Sequence, residues 1–243
     1  MDNGLIIHMQ GVSFAYPGRG LVLDGLDFSF HQGNRLGLMG ANGSGKTTLL
    51  RLIVGLLKPL SGRIEILGRT VKEEKDFVRV RERIGLLFQD ADDQLFSPTV
   101  LEDVAFGPLN LGKTREEARA VARNTLQALG LEGFEDRITH KLSGGEKRLV
   151  SLATVLAMQP DVLLLDEPTT GLDESTETRL VEILNGLDCS YLVVSHDMDF
   201  LAKTTDNIGY MSDGKLSFDE EVVPHTHIHV HPHGRYTHEH SEK

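Results

Sequence analysis

The octapeptide "GANGSGKT", Gly40 to Thr47, stands between a compact apolar run, "RLGLM", and a helically spaced one, "TTLLRLIVGLL". It matches G-x-x-x-x-G-K-[ST] in the strand-before, helix-after context that phosphate binding requires. Glycines at 40, 43 and 45 let backbone N–H groups curl around phosphate oxygens with no Cβ in the way. Asn42, Ser44 and Thr48 complete the loop and the first helical turn, whose N-terminus adds partial positive charge. Lys46 can neutralise the β and γ oxygens, and the Thr47 hydroxyl can ligate Mg²⁺. A second set of groups lies in "VLLLDE", where Asp166 ends an apolar strand and would hold Mg²⁺ directly or through water. Its neighbour Glu167 is placed to polarise an attacking water, which phosphoryl transfer needs besides charge neutralisation. His196 closes another apolar run in "VVSHD", where an imidazole could contact the terminal phosphate.

"GPLNLGKT", Gly107 to Thr114, fits the same spacing and is a decoy. No apolar strand leads into it, Pro108 removes a donor N–H, and the middle glycine is missing. Thr114 has another use. With Glu117 three residues on, it forms a capping box that opens the amphipathic helix "REEARAVARNTLQAL", which Gly130 closes.

The elements that must carry these groups alternate. Short strands in "LIIHM", "GVSFAY" and "LVLDGLDFSF" come first, broken at Pro17-Gly18 and Gln32-Gly33. "TTLLRLIVGLL" predicts a helix ending before Pro59, and "GRIEILG" and "RIGLLFQ" two more strands. From about 91 to 159 the pattern is mostly helical, as a lobe inserted into the rest. "DVLLLDE" reads as a strand buried on both faces, followed by helix "STETRLVEILNGL", strand "SYLVVSH" and a hairpin in "NIGYMSDGKLSFD". This is an α/β core with a mainly parallel sheet and N-terminal antiparallel strands. The division expected is one domain over 1–223 and a His-rich tail over 224–243.

The whole chain narrows the function classes. A formal net charge of −11 argues against a binder of nucleic-acid backbones. The one cysteine, Cys189, cannot form an internal disulfide and suits a reducing compartment. The N-terminus "MDNGLIIHMQ" has no secretory pattern, and no apolar run spans a bilayer, "LLRLIVGLL" being short and carrying Arg51. A membrane role would come through a partner.

"LSGGEKRLVSLATVLAMQPDVLLLDEPTTGLD" resembles the signature-to-Walker-B segment of ATP-binding-cassette (ABC) ATPases, and the motif order from 1 to about 223 is that of an ABC nucleotide-binding domain. The resemblance implies a P-loop NTPase that binds ATP and Mg²⁺. Tyr16 falls where the family stacks adenine; plain packing on the sheet is the other reading of it. Gln89, ending "LLFQ", matches the glutamine that senses Mg²⁺ and the attacking water. Asp173 in "TGLD" matches the D-loop, and His196 the switch histidine. Ser143, Gly144 and Gly145 match the signature, which in the family completes the nucleotide site of the opposite subunit. A second cassette, its own copy or a relative, is therefore implied. The fifth signature residue departs from the usual glutamine: it is Glu146. With Ser143 it stands in capping-box spacing, so its carboxylate is expected to fold back on the Ser143 amide, away from the opposing phosphate.

"QDADDQLFSPTVLEDVAFGPLNLG" resembles the ATPase subunits of energy-coupling-factor importers, whose cargo is a transition-metal ion or a vitamin. There this region docks a membrane-embedded coupling subunit, which works with a substrate-specific membrane subunit. Leu95-Phe96 suits such a groove, or else packs within the lobe. A peripheral position on the cytoplasmic face of the cell membrane follows from the resemblance. Seven of the eleven histidines lie in the tail. His225, His227, His229, His231 and His233 alternate, and His238 and His240 follow; imidazoles suit Ni²⁺ or Co²⁺. A plain terminus or an expression tag are the other readings, the interleaved Thr, Ile, Val and Tyr speaking against a tag. The function expected is an ATPase that powers nickel or cobalt import. The alternatives are a vitamin importer of the same type, or a soluble ABC ATPase acting on nucleic acid or ribosomes.

Overall fold

The computed structural model describes residues 4–218. The stretches read as two N-terminal strands are one, β1 (Leu5–Ala15), paired antiparallel with β2 (Leu21–His31). The register shifts between Met9 and Val12, so Gln10-Gly11 forms a bulge in place of a break, and the Gly11 N–H donates to Asp27 Oδ1 at 2.8 Å. A bulge keeps a ladder running where turn-forming residues would suggest an end. After β3 (Arg35–Met39), β4 (Ser61–Ile66) takes the other edge of β1, and β5 (Arg69–Thr70) completes a four-stranded antiparallel sheet, β2-β1-β4-β5.

The second sheet also contains β6 (Ile84–Leu87), β7 (Val162–Asp166), β8 (Ser190–Val194), β9 (Asn207–Ser212) and β10 (Lys215–Ser217). Its order is β10-β9-β3-β8-β7-β6; neighbours from β9 to β6 are parallel, and β10 is the antiparallel arm of the expected hairpin. Every residue of β7 and β8 is buried. The period of two divides them between two cores. Val162, Leu164, Leu192 and Val194 pack with α1 (Lys46–Ile53) and the antiparallel sheet. Leu163, Leu165, Tyr191 and Val193 face the opposite core. That core takes in Leu180 and Leu184 of α6 (Glu174–Asn185) and Phe200 and Leu201 of α7 (Met198–Thr204). Truncating any of these leucines to alanine would cost about 2–5 kcal/mol, so the strand ends that bear the candidate site are rigidly held.

Helix α1 ends at Ile53, short of the expected stop before Pro59. Gly55 has φ +72°, and a Cβ there would lie 2.2 Å from the Phe77 ring, so the chain must turn before the apolar pattern runs out. Phe77 belongs to α2 (Glu74–Arg83), a helix in a segment too charged to announce itself, with only Phe77 and Val80 buried. In the 91–159 segment, α3 (Val100–Asn110), α4 (Arg115–Ala128) and α5 (Gly144–Leu156) gather their own core around Val104, Leu126 and Val150. The decoy motif is the end of α3 plus the cap of α4. Thr114 N–H donates to Glu117 Oε2 at 2.8 Å, and Glu117 N–H to Thr114 Oγ1 at 3.3 Å. No helix among the described residues is long and apolar enough to cross a membrane. The histidine tail, 224–243, lies outside the described residues.

Candidate nucleotide site

Strand register brings the predicted groups to one edge. Leu38 of β3 and Asp166 of β7 both lie opposite Val194 of β8, so the segments that follow the three strands emerge side by side. Such an edge, outside the carboxyl ends of parallel strands, is where open α/β sheets bind ligands. A cleft of about 680 Å³ opens there. It is lined by Tyr16, Asn42, Gly43, Gly45, Lys46, Thr47, Thr48, Gln89, Glu167 and His196.

The loop start fits against the sheet. Gly40 has φ +149°, and a Cβ would lie 2.3 Å from the Met211 carbonyl oxygen, so no other residue takes its place without displacing β9. Lys46 Nζ donates to the carbonyls of Gly40 at 2.6 Å and Ala41 at 3.1 Å. Burial lowers the Lys46 pKa, against the opposing charges of Glu167 and Asp166. Ser44 Oγ is buried and, among the described residues, has no hydrogen-bond partner. A buried hydroxyl of this kind calls for an explanation, and a bound phosphate oxygen supplies one. Thr47 Oγ1 donates to Asp166 Oδ1 at 3.1 Å, which sets two hard oxygen ligands side by side at the end of β7. Burial raises the Asp166 pKa; the Thr47 bond and the charges of Arg51 and Lys46 oppose that, and the charge of Glu167 adds to it. A cation bound there would favour the ionised form. The orphaned hydroxyl, the tight glycine and the paired oxygen donors fit a nucleoside triphosphate with Mg²⁺.

Glu167 carries unusual backbone geometry, with φ +47° in a residue other than glycine. That costs about 1–2 kcal/mol and persists only where neighbours over-determine it. Here the Glu167 N–H donates to the Val194 carbonyl at 2.8 Å. Its Oε2 lies 2.8 Å from His196 Nδ1. The histidine therefore meets the acidic side chain, a contact the sequence did not indicate. With Glu167 ionised, Nδ1 carries the hydrogen, and Nε2 is the ring atom left for another partner. Tyr16 packs on the sheet and also faces the cleft. Its ring lines the cleft and packs edge-on to Phe14 at 4.9 Å, and its hydroxyl lies 3.2 Å from Thr48 Oγ1.

The signature residues are not in this cleft. Ser143, Gly144 and Gly145 start α5; Gly144 lines an adjacent groove that shares Gln89 with the cleft. Gly145 approaches α6, where a Cβ would meet Thr176 Oγ1 at 3.3 Å. Asp173 caps α6: its Oδ1 accepts from Ser175 Oγ at 2.7 Å and Thr176 N–H at 2.8 Å, bonds that hold its carboxyl below the ordinary value. Glu146 does fold back. Its Oε2 accepts from the Ser143 N–H at 2.8 Å, and its own N–H donates to Ser143 Oγ at 3.3 Å. Arg137 adds an ion pair with Oε1 at 2.8 Å, a partner that sequence spacing did not indicate. Leu95 and Phe96, read as a pair, part company: Leu95 packs on the core of the helical lobe, while Phe96 is exposed against Phe106 at 4.8 Å.

Sequence reasoning missed Arg19 and Thr170, which line the cleft, and the buried Arg148 beside it. Arg19 follows Tyr16 by three residues in a Pro-Gly turn, so a cation near the aromatic was legible. Nothing local marked the other two.

Fold, loop and acidic pair together define a P-loop ATPase. The family model described as ABC transporter matches residues 23–170, and the chain belongs to that family and is an ATPase of its class. The cobalt import ATP-binding protein CbiO of Rhodobacter capsulatus is 44% identical over 87% of this chain and 77% of that protein. The energy-coupling factor transporter ATP-binding protein EcfA of Methanocaldococcus jannaschii is 42% identical over the same shares. Among solved structures, CbiO1 of Clostridium perfringens, part of the ABC transporter complex CbiONQ, superposes with TM-score 0.78 at 36% identity, covering 89% of this chain and 88% of that one. A dimeric post-hydrolysis ATP-binding cassette bound to ADP and Pi superposes at 0.81 with 28% identity, covering 90% and 100%.

Proposed function

We propose that this chain is the ATP-hydrolysing subunit of a membrane importer for nickel or cobalt ions, working by closure and reopening of a cassette dimer. The juxtaposition of Lys46, Thr47, Glu167 and His196 in one cleft, with Asp166 bonded to Thr47 beneath it, carries the reading, with the cobalt-import and energy-coupling relatives supporting the cargo class. Backbone N–H groups at the start of α1 and the Lys46 ammonium bind the phosphates. Tyr16 stacks the base. Thr47, Asp166 and Gln89 hold Mg²⁺, which when bound supplies charge neutralisation at the phosphates. Glu167 accepts the proton of the attacking water, and the Nδ1 bond from His196 holds that carboxylate in place. Ser143, Gly144 and Gly145 of a second cassette, together with its Asp173, close over the nucleotide from the opposite side.

The exposed ring pair Phe96 and Phe106, with Leu109 one turn along α3, is the surface to which a coupling subunit docks. The histidines of the tail buffer the incoming metal, a role that rests on their composition alone.

The test is copurification with membrane subunits followed by uptake of radioactive nickel, cobalt and vitamins. Metal uptake that is lost in Glu167→Gln supports the reading. Vitamin uptake instead would change the cargo, and ATPase stimulated by RNA or ribosomes and not by membrane subunits would refute the transport role. Deleting residues 224–243 should leave hydrolysis unchanged and reduce metal retained in equilibrium dialysis.

A further inference from the structure

Arg148 lies on α5, five residues past the Ser143 cap, and is 4% exposed. Its guanidinium donates to backbone carbonyls in two other segments. Nη1 reaches the Phe88 oxygen at 2.6 Å; Nη2 reaches the Gln89 oxygen and, at 3.3 Å, the Glu167 oxygen. Among the described residues no carboxylate lies within ion-pair distance of it; the charges of Asp166 and Asp90 act only through space against the cost of burial. A buried cation without a paired anion is a poor way to fill space, since an apolar side chain of similar volume would avoid the desolvation cost. What a guanidinium offers here is geometry: a planar fork that can hold several acceptors at once.

The acceptors are informative. Two belong to the residues assigned to water and Mg²⁺, Gln89 and Glu167, and the third to the residue just before Gln89. Phe88 is also held from its other side. Gln94 Oε1 accepts the Phe88 N–H at 3.2 Å, while Gln94 Nε2 donates to Ser151 O at 2.8 Å and Thr154 Oγ1 at 2.7 Å, both on α5. Lys147 of α5 pairs with Asp92 in the same loop. Loop 88–94 is thus tied to α5 at four residues. Glu167, with its left-handed backbone, is tied to α5 through the Arg148 bond, the longest of the three.

The geometry points to Arg148 as a positioning residue that registers α5 against Gln89 and the Glu167 backbone, so that the acidic side chain is aimed correctly only when α5 is seated. The inference rests on the roles proposed above for Gln89 and Glu167. It adds a route between the two sites of a dimer: a nucleotide gripped by the start of α5 is felt, through Arg148, at the water-activating end of this chain's own cleft.

The experiment compares Arg148→Met, Arg148→Lys and Arg148→Ala in the full chain, with Glu167→Gln alongside. Binding of a fluorescent ATP analogue reports the fold and the phosphate site; steady-state kinetics report kcat and KM separately. Arg148→Met should bind the analogue as the parent does and keep KM within about twofold while kcat falls about 100-fold, the loss expected for misplacement by about 1 Å. Arg148→Lys, which keeps the charge and loses the fork, should fall by about tenfold. Low-millimolar guanidinium should restore turnover to Arg148→Ala, whereas urea and ammonium should not. Arg148 variants at parental kcat beside an inactive Glu167→Gln would overturn this inference and leave the site assignment standing. Losses of kcat and analogue binding in parallel, without guanidinium rescue, would reduce Arg148 to packing. An active Glu167→Gln would overturn the site assignment and this inference with it.

Discussion

Replacing Glu146 with glutamine tests whether the carboxylate at the signature position faces inward to its own helix or outward to an opposing nucleotide. In the structure it accepts from the Ser143 N–H at 2.8 Å and pairs with Arg137 at 2.8 Å. Glutamine retains an oxygen for the Ser143 amide, so the capping box survives. What is lost is the ion pair, whose side chains are 47% and 34% exposed; solvent screening limits it to about 0.2–1 kcal/mol. For a domain of this size that corresponds to a Tm decrease of about 0.4–4 °C. The Ser143 amide and hydroxyl, then Arg137, lower the Glu146 pKa from 4.5. A depressed carboxylate contributes stability that is present above its unfolded value and lost as pH falls through the folded one. The Tm gap between parent and Glu146→Gln should therefore be full at pH 7 and shrink only as pH falls below 4.5 and through the lowered folded-state value. High salt should narrow it as well. Because the carboxylate points away from where the α5 N-terminus would meet a phosphate, kcat in the assembled complex should change less than about twofold, under 0.5 kcal/mol. Thermal melts at two pH values and two salt concentrations, with an ATPase assay of the complex, decide the matter. A tenfold or larger gain in kcat would mean that the carboxylate opposes the nucleotide, and the fold-back reading would be wrong.

Two further substitutions probe the fold that holds the site. Gly55→Ala combines a left-handed φ with a Cβ 2.2 Å from the Phe77 ring, so it should cost about 3 kcal/mol in a denaturant titration, and less in a Phe77→Leu background. An unchanged midpoint would show that α2 shifts freely. Asp103 is 3% exposed; its Oδ1 accepts from the Phe96 and Ser97 N–H groups at 3.2 and 2.9 Å, while Oδ2 is buried and, among the described residues, has no hydrogen-bond partner. Burial raises its pKa above 3.8, so the ionised form is a liability at neutral pH that acidification relieves. Asp103→Asn, which keeps the accepting oxygen, should be at least as stable as the parent at pH 8, with the advantage shrinking as pH falls through the raised value. A large loss of Tm at pH 8 would contradict that account.

Much of the site was legible because its chemistry is local. The Gly40-to-Thr47 loop must be contiguous to wrap a phosphate, a buried parallel strand must be an unbroken apolar run such as 162–165, and capping boxes such as Thr114/Glu117 and Ser143/Glu146 close within three residues. The same locality exposed the decoy at Gly107. Other features depended on distance in space. The bulge that fuses β1 depends on the register of β2; the early end of α1 depends on Phe77, more than twenty residues away; the turn of His196 to Glu167 depends on β7 and β8 being neighbours. Arg148 is the clearest case. In the sequence it is one basic residue on an amphipathic helix, indistinguishable from a solvated one. Only packing reveals that its partners are three carbonyls from two distant segments, because backbone acceptors have no residue type to read. The chain alone thus determined which chemical groups are present and the short stretches that present them. The tertiary structure decided which of them meet, since strand order and helix seating are set by burial summed over the whole core and by no single segment.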